Sequence, residues 1–139
     1  MANALYHKAV NKFFKGEIDW VDDDIRAVLI DGDNYTVDLS THEFISHLSG
    51  ILKISPSLAN KSVAAGAAKG DAVTFSGVAG NVSRIVIYMA TSEDNTSPLI
   101  AYYDTVSGFP INANNADVTI TWASEGVFRL VRGTTPPVP

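Results

Sequence analysis

The chain has 139 residues, 46% hydrophobic and 18% charged, with a formal net charge of −5; that length fits one domain with one core, burying roughly two-thirds of its unfolded surface. The ten Lys and Arg residues are scattered from Lys8 to Arg132, which argues against nucleic acid, because a phosphate backbone needs clustered basic groups. Without cysteine, disulfides, thiolate nucleophiles and thiolate zinc sites are excluded.

Residues 3–15 read as a helix. Leu5, Ala9 and Phe13 are spaced by four, as are Tyr6, Val10 and Phe14, giving one apolar stripe. Asn3 is the expected cap and Gly16 the left-handed stop. The stripe packs either on the domain's own sheet or on a neighbour. After Trp20 and the acidic turn Asp22-Asp23-Asp24, residues 25–30 read as the first strand and residues 31–39 as a polar loop. Ser40 followed by Glu43 has the spacing of a capping box, which predicts a short helix over residues 41–48, closed by Gly50.

Beyond that point the pattern is strand and turn. Val73-Thr74-Phe75 is short and alternating. Residues 84–90 form the strongest strand, with Ile85, Ile87 and Met89 on one face and Val86 and Tyr88 on the other, so it is expected to be central and covered on both sides. Residues 99–104, 118–122 and 127–131 complete the set, separated by Gly108, the Asn112–Asn115 run and Gly126. Short strands at this spacing predict a mainly β domain, an antiparallel sandwich or barrel with an N-terminal helix and one short helix. Residues 1–132 form that single domain, and residues 133–139 a Pro-rich C-terminal extension suited to polyproline conformation. The N-terminus lacks a basic segment followed by an apolar run, so no secretory signal is expected. No apolar stretch approaches the roughly 18 residues of a membrane span.

Few residues carry candidate chemistry. His42 and His47 bracket a near match to a zinc-protease helix, but they are five apart, which rotates the rings about 140° from each other on a helix. No metal site is expected. Asp31, Asp33, Asp38 and Glu43 resemble a calcium loop in composition only, because Tyr35, Thr36 and His42 occupy the fifth, sixth and twelfth positions counted from Asp31. No serine stands in a Gly-x-Ser-x-Gly elbow, and Gly66, Gly70, Gly77 and Gly80 have no nucleotide-binding spacing. Trp20, Trp122, Tyr35, Tyr88, Tyr102 and Tyr103 could build a sugar platform, although in β proteins such residues more often fill the core. No cofactor, no catalytic residue and no enzyme activity are expected.

Several stretches resemble small virion structural proteins of tailed bacteriophages. They are Ala4-Leu5-Tyr6, Lys15-Gly16-Glu17-Ile18-Asp19-Trp20, residues 25–31 with Tyr35, Thr41-His42-Glu43-Phe44 and Lys61-Ser62-Val63. Further on come Val73-Thr74-Phe75, residues 85–88, residues 98–102, Asp104-Thr105 with Gly108, and residues 117–122. The pattern departs after Phe44, where similar proteins continue with Asp and soon Pro, and this chain has Ser46-His47-Leu48-Ser49. The Pro-rich extension also lies beyond it. The resemblance implies a virion protein, foremost a capsid decoration (cement) protein that binds across major capsid subunits and stabilises the head. Its alternatives are a tail or fibre-associated component and a carbohydrate-binding host-attachment module. The implied partners are the major capsid protein and other virion proteins, with a homo-oligomer, a trimer, and neither nucleic acid nor membrane. The implied location is the virion, assembled in the host cytoplasm. The expected partner interface comprises Tyr6, Phe13, Phe14, Trp20, Pro136 and Pro137. Within it, Phe13 is expected to pack on the domain's own sheet and Tyr6 to face outward.

Overall fold

Ile85, Val86, Ile87 and Tyr88 are consecutive and all buried, so the strand that carries them needs cover on both faces. The computed structural model describes residues 3–129. It is mainly β, with antiparallel sheets and one α-helix near the N-terminus. In chain order the strands are β1 (Ala4–Leu5), β2 (Ile25–Ile30), β3 (Ile51–Ile54), β4 (Ser62–Ala64), β5 (Ala67–Lys69) and β6 (Val73–Val82), followed by β7 (Arg84–Met89), β8 (Leu99–Tyr103), β9 (Ile111–Ile120) and β10 (Phe128–Arg129). The helix α1 is His7–Phe14. Among the described residues, a five-stranded sheet runs β1-β8-β7-β2-β3, a three-stranded sheet runs β10-β5-β4, and β6 pairs with β9 as a ribbon.

The order of the large sheet puts β7 in its centre, as the double-sided apolar pattern predicts. Adjacent residues of β8 show what covers each face, because they point opposite ways. Tyr102 packs beside Tyr35 with ring centroids 6.2 Å apart, and Tyr103 packs beside Trp122, also at 6.2 Å. The helix and the loop after β2 therefore cover one face, and the ribbon with its following loop covers the other. Gly80 makes the ribbon's close approach possible: it lies at φ +120°, and a Cβ there would come within 2.9 Å of the Leu52 side chain. The β4–β5 hairpin turns through Ala65 (φ 50°) and Gly66 (φ 73°), the two positive values that a two-residue turn between Ala64 and Ala67 needs.

Several expected boundaries change. The helix starts at His7 and not at Asn3, because Ala4 and Leu5 pair with β8 instead. Asn3 caps no helix; its side chain accepts from the Asp104 and Thr105 amides and donates to the Thr105 carbonyl. The C-terminal stop is where it was expected. Gly16 has φ +73°, its amide donates to Phe13 O and the Glu17 amide donates to Lys12 O, a Schellman arrangement. The predicted helix over 41–48 does not form; only a 3-10 turn, Ile45–His47, is present. The Asp38 carboxylate takes the Ser40 and Thr41 amides and the Ser40 hydroxyl, so Ser40 does not act as a cap. The Ile45 amide then bonds Ser97 O while Glu43 O accepts from the Leu99 amide, so tertiary pairing replaces the helical bonds.

The Asn112–Asn115 run, expected as a separator, lies inside the ten-residue β9, and the short strand at Val73 extends to Val82. Each is the other's partner, with irregular register between Phe75 and Ala79. Strands β3, β4 and β5 carried no alternating apolar signal. The expected strand over 127–131 is observed as Phe128–Arg129; Val127 is a buried bend before it, and residues 130–131 lie outside the described residues. The C-terminal extension, residues 133–139, also lies outside them.

Ser55 ties β2 to the chain beyond β3. It is buried, its Oγ accepts from the Ala27 amide at 2.9 Å, and its own amide donates to Ala27 O at 2.9 Å. Ser55→Ala removes the acceptor and leaves a strand amide unpaired in the interior. A loss of about 1–3 kcal/mol is expected, measured by urea unfolding.

Candidate functional site

The helix has more apolar perimeter than the sheet can cover. Tyr6 and Ala9 are fully buried, Phe13 is half-buried, and Phe14 is 87% exposed. Beyond the helix, the chain turns at Gly16 and returns through Ile18 and Trp20, both buried. The Trp20 indole is fixed by its Nε1, which donates to Lys69 O at 3.0 Å. Phe128 of β10 meets the Trp20 ring edge-on, with centroids 5.4 Å apart at 86°, and lies 5.9 Å from the Phe13 ring.

These rings line a groove of about 350 Å³ bounded by Phe13, Gly16, Ile18, Trp20, Val63 and Phe128, with Asp19 on its rim. Val63 is 59% exposed on edge strand β4. Of the expected interface residues, the structure therefore brings Phe13 and Trp20 together and places Phe14 next to them in sequence, on the solvent side. Phe13 packs on Phe128 and against the domain's own core. Pro136 and Pro137 lie outside the described residues. Phe128 and Val63 escaped the sequence reading as interface residues. They reach Trp20 only because β10 and β4 flank β5, a pairing with no local signal.

Tyr6 is a correction. Its expected outward role fails because the side chain is wholly buried under the sheet. Its hydroxyl lies 2.9 Å from that of Tyr35, which lies 2.8 Å from His42 Nδ1. The Asp38 amide also points at Nδ1 from 3.3 Å, so this nitrogen is an acceptor and the proton sits on Nε2. The direction of the chain follows: Tyr6 donates to Tyr35, and Tyr35 donates to His42. Burial raises both phenols, with Tyr35 pushed up to about 12, while Tyr6 is raised further by the hydrogen bond it donates. Burial lowers His42; the Asp38 carboxylate opposes that shift and the neighbouring His47 adds to it.

His42 and His47 do not point apart as they would on a helix. Their rings stack with centroids 5.8 Å apart at 23°, because the segment is not helical. His47 Nδ1 accepts from the Glu43 and Phe44 amides at 2.9 and 3.1 Å. Each ring thus caps backbone. Among the described residues no group of three or more His, Cys, Asp or Glu side chains could hold a metal.

Asp31, Asp38 and Glu43 each have their own partners. Asp31 accepts from the Asp33 amide and from Asn34 Nδ2, and Glu43 pairs with Lys12 at 3.0 Å. The Asp38 carboxyl is lowered to about 2 by its bonds from Thr41 and Ser40. The aromatic residues considered for a sugar platform divide between two faces of the sheet, and Trp20, Tyr35, Tyr88 and Tyr102 are buried. No helix among the described residues is long and apolar enough to cross a membrane.

A scan against protein-family models finds no match, and a search of the curated proteins finds no similar sequence. The groove and the exposed apolar residues near it form the candidate surface.

Two outcomes follow from this geometry. Phe13→Ala should cost about 2–3 kcal/mol in urea unfolding, less than the roughly 3–5 kcal/mol of a wholly buried Phe, because its ring is only half-buried. His42 sets a pH dependence. The unfolded chain takes a proton at His42 below about pH 6.5, whereas the folded site, with Nδ1 occupied, takes it only at lower pH. Its contribution to stability is therefore complete above that value and is lost as pH falls through it. In His42→Asn, the Oδ1 atom can accept in place of Nδ1 without titrating. Unfolding measured from about pH 7 to about pH 5 should slope less in that variant than in the unaltered protein.

Proposed function

We propose that this chain is a structural component of a phage particle, foremost a head decoration protein that docks across capsid subunits. What carries the reading is the set of large apolar side chains left in water on a well-packed β body: Phe14 and Val63 beside the groove, and Val21, Ile51 and Ile54 elsewhere. A protein that acts by docking needs such surface, and the sequence resemblance to virion structural proteins supplies the setting. Two of these residues, Ile51 and Ile54, lie on β3, an edge of the large sheet, where unpaired backbone groups can also meet a neighbour.

Energetically the proposal is modest for each copy. Apolar area removed from water is worth on the order of 25 cal/mol per Å², and association costs about 4–15 kcal/mol before any net affinity appears. A symmetric shell compensates by multiplying contacts, because each docked copy that touches others adds avidity without new chemistry.

Copy number in purified particles tests the proposal. Quantitative mass spectrometry should find this chain in the particle on the order of hundreds of copies, as shell symmetry requires. About six or twelve copies would move it to a tail ring. Its absence from the particle would overturn the virion reading altogether.

A further inference from the structure

We infer that the aromatic groove is a self-association site, filled by the Phe14 ring of a second copy of this chain. The inference stands on the surface alone and does not need the particle role. Among the described residues Phe14 is the most exposed of the large apolar side chains, at 87%, and it falls in sequence between two groove residues, Phe13 and Gly16. It does not fill its own groove: successive helical residues diverge by about 100°, and with Phe13 turned onto Phe128, Phe14 is turned to solvent. The ring and the groove are therefore a projecting part and a receiving part that one molecule carries but cannot join.

The groove suits such a ring. Its walls are Phe13, Ile18, Trp20, Val63 and Phe128, and the Gly16 side is open, since a Cβ there would meet nothing within 4 Å. Its volume, about 350 Å³, lies at the small end of the roughly 300–1,000 Å³ typical of binding pockets. Charge agrees with the pairing. Lys15, exposed and directly after Phe14, would arrive at the rim where Asp19 stands, the charged residue of the groove lining; the nearby Glu17 pairs with Lys12 of its own chain at 3.6 Å. The projecting end is basic and the receiving rim acidic, so one kind of surface supplies both halves of the contact. A different protein partner could use the groove, but it would leave Phe14 and Lys15 without a counterpart.

Sedimentation velocity on the full chain tests this across the micromolar range. The unaltered protein should associate with rising concentration, and higher salt should weaken that association. Phe14→Ser and Val63→Glu should each raise the dissociation constant at least tenfold, while Phe14→Ser keeps the melting temperature because the ring is exposed. An equimolar mixture of the two should recover part of the association, since the first retains an intact groove and the second an intact Phe14. If Val63→Glu does not fold, Lys15→Glu provides a second surface variant, expected to weaken association and to reduce its salt dependence. A dimer or a closed trimer that Phe14→Ser dissolves supports the contact. A chain that stays monomeric throughout overturns it. So does association that Phe14→Ser leaves unchanged, or a mixture no better than its separate components.

Discussion

Strand β7 can lie in the middle of a sheet only if both of its faces are kept from water, and the remaining architecture answers that need. Its run Arg84–Met89 pairs along its whole length with Ile25–Ile30 of β2 on one side, and Ile85–Tyr88 pair with β8 on the other. Burying each large aliphatic or aromatic group contributes about 1.5–3 kcal/mol. Four such residues in a row account for a sum comparable to the net stability of a small domain. The ribbon of β6 and β9 supplies cover on one face and the helix with the following loops supplies it on the other. Gly80 is the local concession that brings the ribbon within reach of Leu52.

The rotation of the helix is set from within. Tyr6 is drawn wholly under the sheet, and its hydroxyl is satisfied only by the chain through Tyr35 to His42. A buried phenol without that partner would carry a cost of a few kcal/mol, so the hydrogen-bond chain fixes both the depth and the rotation of the helix start. Phe13, seven residues on, then lies almost directly below Tyr6, within about 20° around the axis, while Phe14 is about 80° away. The interior claims the first and releases the second. The apolar surface proposed for docking is in this sense a consequence of how the core anchors Tyr6.

The loop between β2 and β3 shows how capping by side chains outside a helix can replace a helix. Asp38 gathers the amides of Ser40 and Thr41, His42 takes that of Asp38, and His47 takes those of Glu43 and Phe44. With those donors satisfied locally and Ile45 and Glu43 bonded across to Ser97 and Leu99, nothing remains for a helical ladder to gain. The two imidazoles stack as a result, and they serve as structural acceptors.

The sequence by itself determined the elements whose signal is local. The apolar run at residues 84–90 marked the covered central strand, the spacing by four of Leu5, Ala9 and Phe13 and of Tyr6, Val10 and Phe14 marked the helix, and Gly16 marked its end. Those readings hold because periodicity and a left-handed stop are properties of neighbouring residues. Only the tertiary structure decided where Asn3 spends its hydrogen bonds, because its partners at Asp104 and Thr105 come within reach after the chain has folded onto itself; at Ser40 the competitor is local, the Asp38 carboxylate two residues back. The same holds for the long ribbon. Its small and polar residues, Ala79, Asn114 and Ala116 among them, have no strand character until β6 and β9 pair across about 40 residues of sequence. The groove lies furthest from sequence reading. Phe13 and Trp20 were visible as aromatic residues near the helix end, but Val63 and Phe128 join them only through the pairing of β4 and β10 with β5. A contact between residues more than a hundred positions apart is an outcome of topology, and no local pattern encodes it.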